Sequence, residues 1–117
     1  MAKMGNNLKI SIGVENREAM RRFMAEGLGA ELRQSLERVD LFMLGDGYNV
    51  GLFYVPASRA LSDEQALYAP WLELSVEGDG DARVLAAGAV SVSYDDPTHR
   101  YYRMPGGPIF RLASVRH

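Results

Sequence analysis

Apolar and polar residues alternate at Ile10-Ser11-Ile12-Gly13-Val14-Glu15, and the same pattern returns at Leu72-Glu73-Leu74-Ser75-Val76-Glu77. Alternation with period 2 marks a strand with one buried face, and its return marks an internal repeat. Each strand runs into a polar cap. In the first copy Asn16 is followed by Ala19, Met20, Phe23, Met24 and Leu28, an apolar stripe at helical spacing. Gly27 or Gly29 supplies its stop. In the second copy Gly78-Asp79-Gly80-Asp81 opens a shorter helix through Val84, Leu85 and Ala86, and Gly88 closes it.

Three strand candidates follow each helix. They are Glu31 to Leu36, Val39 to Leu44 and Tyr48 to Val55, then Val90 to Tyr94, Arg100 to Met104 and Ile109 to Val115. Gly45-Asp46-Gly47, Asp95-Asp96-Pro97-Thr98 and Pro105-Gly106-Gly107-Pro108 are the turns between them. The chain therefore reads βαβββ twice, in modules at about 8–56 and 70–115, joined by a linker at 57–69. Ser62-x-x-Gln65 is a capping box for a short helix within that linker. The expected fold class is α+β: one domain over 1–117, two tandem βαβββ modules forming a curved mixed sheet, helices on the outer face. A ferredoxin-like βαββαβ fold is the rival, and the extra hairpin in each half argues against it.

Composition narrows the function classes. A chain of 117 residues with 47% apolar and 24% charged residues is an ordinary globular domain. Its 13 basic against 15 acidic residues argue against nucleic-acid binding, which needs a basic excess. No apolar run approaches the roughly 20 residues that span a bilayer, so no membrane partner is expected. Met1-Ala2-Lys3-Met4-Gly5-Asn6-Asn7 has no apolar stretch behind it and does not read as a signal peptide, so a cytoplasmic setting is expected. Zero cysteines exclude disulfides, thiolate metal sites and cysteine nucleophiles. No P-loop, G-x-G-x-x-G or G-x-S-x-G motif is present.

The paired modules and the stretch Tyr102-Arg103-Met104-Pro105-Gly106-Gly107-Pro108-Ile109-Phe110-Arg111-Leu112 resemble the vicinal oxygen chelate superfamily of glyoxalase, bleomycin-resistance and extradiol-dioxygenase relatives. The resemblance covers nearly the whole chain. It implies a ligand bowl in the curved sheet. In metal-dependent members, His, Gln or Glu from the first and last strands of each module hold a divalent ion there. Those positions fall at Lys9, Gly51, Trp71 and Arg111, none of which offers a lone pair to a metal at neutral pH. A one-residue slip gives Ile10, Leu52, Leu72 and Leu112, which is no better. No metal and no other cofactor is expected. Asp95, Asp96 and His99 could be written as a metal cluster but read as a solvated turn, and His117 is the last residue.

Period 2 places Ile10, Ile12, Val14, Leu72, Leu74 and Val76 under the helices. The opposite face carries Lys9, Ser11 and Gly13, then Trp71, Glu73 and Ser75, joined by Phe53, Val55, Arg111 and Ala113. From it, Lys9, Ser11, Phe53, Trp71, Glu73 and Arg111 form the candidate site for a small organic ligand with an anionic group and a flat or apolar part. The planar fork of Arg111 would grip a carboxylate with two bonds. Glu73 is the one candidate general base there, and it would need burial to raise its pKa. The plainer alternative makes Lys9 and Arg111 solvated edge residues, Glu73 an ion-pair partner and Trp71 a plug. Three functions follow: metal-free small-molecule binding, an isomerase or lyase using Glu73, or an interaction module with a filled bowl. Open strand edges and the resemblance point to a homodimer. Arg17, Arg21 and Arg22, beside Glu18, read as the solvated face of the first helix.

Overall fold

A computed structural model describes residues 1–113 of the chain. In chain order its elements are β1 (Asn7–Gly13), α1 (Arg17–Arg22), β2 (Glu31–Ser35), β3 (Val39–Met43), β4 (Asn49–Val55), α2 (Asp63–Tyr68), β5 (Leu72–Leu74), α3 (Gly80–Ala86), β6 (Val90–Val92), β7 (Tyr101–Arg103) and β8 (Ile109–Leu112). A single 3-10 turn, Val14–Asn16, precedes α1, and a wider π turn, Phe23–Gly27, extends it. The strands pair in the orders β1-β4-β3-β2 and β5-β8-β7-β6. β1 runs parallel to β4, and β5 parallel to β8. The βαβββ repeat is present as expected, and α2 is the linker helix, with Ser62 and Gln65 bonded reciprocally as a capping box.

The strands pair as two four-stranded mixed sheets, one from each module, as the repeat implies. Several boundaries differ from the sequence reading. β5 stops at Leu74, three residues short of Glu77, and among the described residues its ladder with β8 runs only to Leu112. Val14 is 54% exposed, since the strand ends at Gly13 and Val14 starts the 3-10 turn. Ala19 also faces outward, and the helix buries Met20, Phe23 and Met24 instead. Leu85 stays exposed, while Val84 and Ala87 carry the inner face of α3. Ser114, Val115 and His117 lie outside the described residues.

One core serves both modules. Ile10, Ile12, Met20, Phe23 and Leu52 of the first meet Val84, Ala87, Tyr102 and Phe110 of the second. The rings of Phe23 and Phe110 pack with centroids 5.7 Å apart. Burying such a side chain stabilises the fold by about 1.5–3 kcal/mol. α3 lies against the π turn where Gly27 allows it, since a Cβ there would come within 3.1 Å of the Ala87 methyl. Arg83 Nε, bonded to the Glu26 carbonyl at 2.9 Å, and Arg22, bonded to the Ala86 carbonyl at 2.8 Å, tie the halves together. Gly106, with φ +68°, turns the chain into β8 directly beneath the Asn16 side chain and leaves no room for a Cβ.

The first module contains a charged network where a solvated helix face was expected. Asp40 is fully buried on β3. It accepts from Arg21 Nε at 2.8 Å, Arg17 at 3.0 Å, the Ser35 hydroxyl at 2.7 Å and the Tyr54 hydroxyl at 2.5 Å. Burial disfavours the charge, but the bonds from Arg21, Tyr54, Ser35 and Arg17 together outweigh it and hold the carboxyl below the usual range. Arg17 also stacks its guanidinium 4.4 Å over the Tyr54 ring. Of the three arginines, only Arg22 lies on a solvated face, paired with Glu26 at 2.7 Å.

Candidate functional site

The six residues expected to share a ligand site fall into two groups. Lys9 and Ser11 project from β1 on the side away from Ile10 and Ile12, so they stand on the sheet face that the helices leave open. Phe53 is the ladder partner of Ser11, and Gly51 that of Lys9. The Phe53 ring folds back across Gly51, where a Cβ would come within 2.9 Å of it. Lys9 Nζ sits 4.8 Å from the centre of the same ring. Lys9 and Ser11 line a groove of about 700 Å³ whose other wall is the linker. From that wall come Arg59, Glu64 and Tyr68, and Leu72 closes one end. Tyr68 is 84% exposed, an unusual state for so large a ring.

The second group, Trp71, Glu73 and Arg111, belongs to the second sheet. Arg111 is the ladder partner of Glu73, and its Nε donates to Glu73 Oε1 at 3.0 Å. It also lies 3.4 Å from the Tyr101 hydroxyl and 3.7 Å from Asp96 Oδ2, so two carboxylates answer its charge. Trp71 does not stand free. Its indole N–H donates to the Ala66 carbonyl at 3.1 Å, and its ring meets Tyr94 edge-on at 4.8 Å and Tyr101 at 5.6 Å. α2 lies over this face, with Ala66 fully buried against Tyr101 and Ile109. Arg103 clamps it from below by donating to the Leu61 carbonyl at 2.7 Å and to Asp63. The linker therefore covers the part of this face around Trp71, Tyr101 and Ile109, while Glu73 and Arg111 stay partly exposed.

The turn before β7 is solvated at Asp95, Pro97 and Thr98, as expected, but Asp96 and His99 turn inward. The Asp96 and His99 side chains keep only 20% and 17% of their surface. The bonds from the Thr98 and Tyr101 hydroxyls hold the Asp96 carboxyl below the usual range.

No protein-family model matches the chain, and no curated protein matches it in sequence. Solved structures do match in shape. A glyoxalase-related enzyme from Fulvimarina pelagi has a TM-score of 0.65 at 17% identity, over 95% of this chain and 87% of that one. The fosfomycin resistance protein FosX from Mesorhizobium loti has a TM-score of 0.67 at 14% identity, over 99% and 94% of the two chains. FosX from Listeria monocytogenes, solved with manganese(II) and sulfate, has a TM-score of 0.69 at 10% identity, over 99% and 92%.

The chain has the glyoxalase fold. The expected architecture is thereby found, and the metal question can be put to the residues. At the four positions that the resemblance gives to a metal, Lys9 is a cation over a ring, Gly51 has no side chain, Trp71 is a donor already bonded and Arg111 is a paired cation. Among the described residues no three His, Cys, Asp or Glu side chains converge on a point where an ion could sit. The donor set does not fit a divalent ion. Nor is any helix among the described residues long and apolar enough to cross a membrane.

The sequence reading found Lys9, Ser11 and Phe53 together and missed the linker wall opposite them. Only the capping box pointed to that wall, and it carries no information on where the helix docks.

Proposed function

We propose that this protein binds a small organic acid, without a metal ion, in the groove between β1 and the linker. The observation that carries the reading is the groove itself, about 700 Å³ and within the size range of small-molecule sites. It sets Lys9 and Arg59 beside the apolar surfaces of Tyr68 and Leu72. Neither cation has a carboxylate partner among the described residues, and the single acid in the lining, Glu64, leaves a positive excess. A ligand carboxylate placed at Lys9 and Arg59 answers that excess, and its ring or alkyl part covers Tyr68. Arg111, already held by Glu73 and Asp96, is a weaker anchor than either.

A filled face is the second reading, and it is favoured for the second sheet alone, where α2 and Trp71 occupy the place a ligand would take. The working unit is proposed to be a homodimer. β2, an edge strand, exposes all five of its residues, Leu32 among them, and Leu36 just beyond it is exposed as well.

A thermal-shift screen of aromatic and aliphatic acids against their neutral amides tests the ligand reading. A hit present at about a hundred times its dissociation constant stabilises by about 2.7 kcal/mol. That stabilisation should shrink in Lys9→Ala and vanish in the Lys9→Ala, Arg59→Ala pair. Amides that stabilise as well as acids, or a double variant that keeps the acid response, would refute it.

A further inference from the structure

We infer that the free edge of β1 pairs with the backbone of a short peptide acid, so that the ligand adds a dipeptide-length strand to the first sheet. The inference rests on the acid reading above for the carboxylate at Lys9 and Arg59, and for nothing else. In a β-ladder each residue turns its N–H and its C=O to the same side, and successive residues alternate. The Asn49 N–H donates to the Asn6 carbonyl at 2.8 Å, so the even-numbered residues Leu8, Ile10 and Ile12 are the ones bonded to β4. The opposite side of β4 agrees. The Leu44 N–H donates to the Tyr48 carbonyl at 2.9 Å and the Tyr54 N–H to the Arg38 carbonyl at 2.9 Å, which turns the even residues of β4 toward β3 and the odd ones toward β1. Lys9 and Ser11 therefore direct their backbone groups away from the sheet. β1 is the last strand of that sheet, and among the described residues nothing is bonded to these groups.

The open stretch is short. The Asn7 carbonyl accepts from the Tyr48 hydroxyl at 3.3 Å, and at Gly13 a Cβ would come within 2.9 Å of the Ala60 methyl. What remains, from Lys9 to Ser11, spans about 7 Å. Both residues are exposed, and both line the groove of about 700 Å³. An extended segment laid on such an edge meets its N–H and C=O groups in turn, and side-chain surfaces beside it give the selectivity. Here those surfaces are apolar at Leu8, Ile10 and Leu72, with the exposed Tyr68 ring on the linker wall. The occupant that fits is a dipeptide-sized chain with an apolar last residue and a free C-terminal carboxylate. Its amides pair with Lys9 and Ser11, and its charge answers Lys9 and Arg59. A whole strand from a second copy would need the Gly13 end as well, which Ala60 closes.

The test is residue-resolved amide hydrogen exchange of the full chain, alone and with acetyl-Ala-Phe or acetyl-Ala-Leu as free acids. Without peptide, Ile10 and Ile12 should exchange slowly, and Lys9 and Ser11 rapidly. Saturating peptide acid should slow Lys9 and Ser11 by about tenfold or more and leave Ile10 and Ile12 as they were. Affinities supply a second readout. Replacing the two peptide N–H groups in turn by an ester oxygen should weaken binding about fivefold at one position and not at the other, because only one of two successive amides faces the edge. Ester analogues that both bind as the peptide does, or that weaken equally, overturn the pairing. So does an unchanged exchange rate at Lys9 and Ser11, or slow exchange there before any peptide is added. Protection that rises with protein concentration alone overturns it too, and assigns the edge to a second copy. Simple acids that bind as tightly as the peptides, without slowing Lys9 and Ser11, overturn this inference and leave the acid reading standing. Peptide carboxamides that bind as well as the acids and still slow both residues refute the acid reading and support the strand pairing.

Discussion

Replacing Asp40 by alanine removes the acceptor on which Arg17, Arg21, Ser35 and Tyr54 converge. The Tyr54 hydroxyl, on a residue only 6% exposed, loses its partner, which costs about 1–3 kcal/mol. Stranding a fully buried charge partner costs about 3–5 kcal/mol. Arg17 and Arg21 retain 20% and 32% exposure, however, and can turn partly to water. The combined loss is therefore about 3 kcal/mol, equivalent to roughly 12 °C in Tm for a domain of this size. Arg22→Ala, which breaks an exposed helix pair, should cost less than about 0.5 kcal/mol. Urea titration at pH 7 measures both. A pH series adds the sign. The folded pKa of Asp40 is depressed, so its contribution is complete above the unfolded value of about 3.9 and falls away as pH drops below it. The stability gap between wild type and Asp40→Asn should thus narrow from pH 5 toward pH 3. A loss under about 1 kcal/mol for Asp40→Ala, or a gap that stays constant with pH, would show that the network is not coupled to folding as its geometry implies.

Other measurements follow from other features. Elemental analysis of the purified protein should find no stoichiometric zinc, nickel, iron or manganese, and a chelator should leave Tm unchanged; one tightly held ion per chain would contradict the donor chemistry. Light scattering at micromolar concentration should give twice the 13.0 kDa of one chain, whereas a monomer mass throughout would remove the homodimer reading. Ser62→Ala should cost about 1 kcal/mol through loss of the capping box, with hydrogen exchange rising first in α2.

The fold was largely legible because its signals are local. Period-2 runs at Ile10–Ile12 and Leu72–Leu74, the stripe through Met20, Phe23 and Met24, and the glycine turns each act within a few residues. What escaped was long-range. Arg17 and Arg21 reach Asp40 across 23 and 19 residues of chain, and a charge census of α1 alone shows only arginines. One signal was present: Asp40 shares a strand face with Phe42, so alternation places a carboxylate under the helix and asks for a cation. An ion pair of Glu73 with Lys9 or Arg111 was legible as the plainer alternative, and the parallel register of β5 with β8 makes Arg111 the partner. His99 looked solvated because Asp95, Pro97 and Thr98 beside it are loop residues. Its long-range neighbour is Glu73 on β5, 3.8 Å from Nε2 and distant in sequence.

A two-module chain invites a cut at its joint. For this protein the joint is the wrong place to cut. Because Ala66 is buried against Tyr101 and Ile109 and the Trp71 indole is bonded to the Ala66 carbonyl, new termini inside α2 would strip the second sheet of its cover. Gly45-Asp46-Gly47 lies on the surface with space around both glycines, so a circular permutant opened there keeps the linker intact. The boundary between the halves in sequence is not their boundary as folding units, and a fragment beginning at Pro70 would present Trp71, Tyr101 and Ile109 to water.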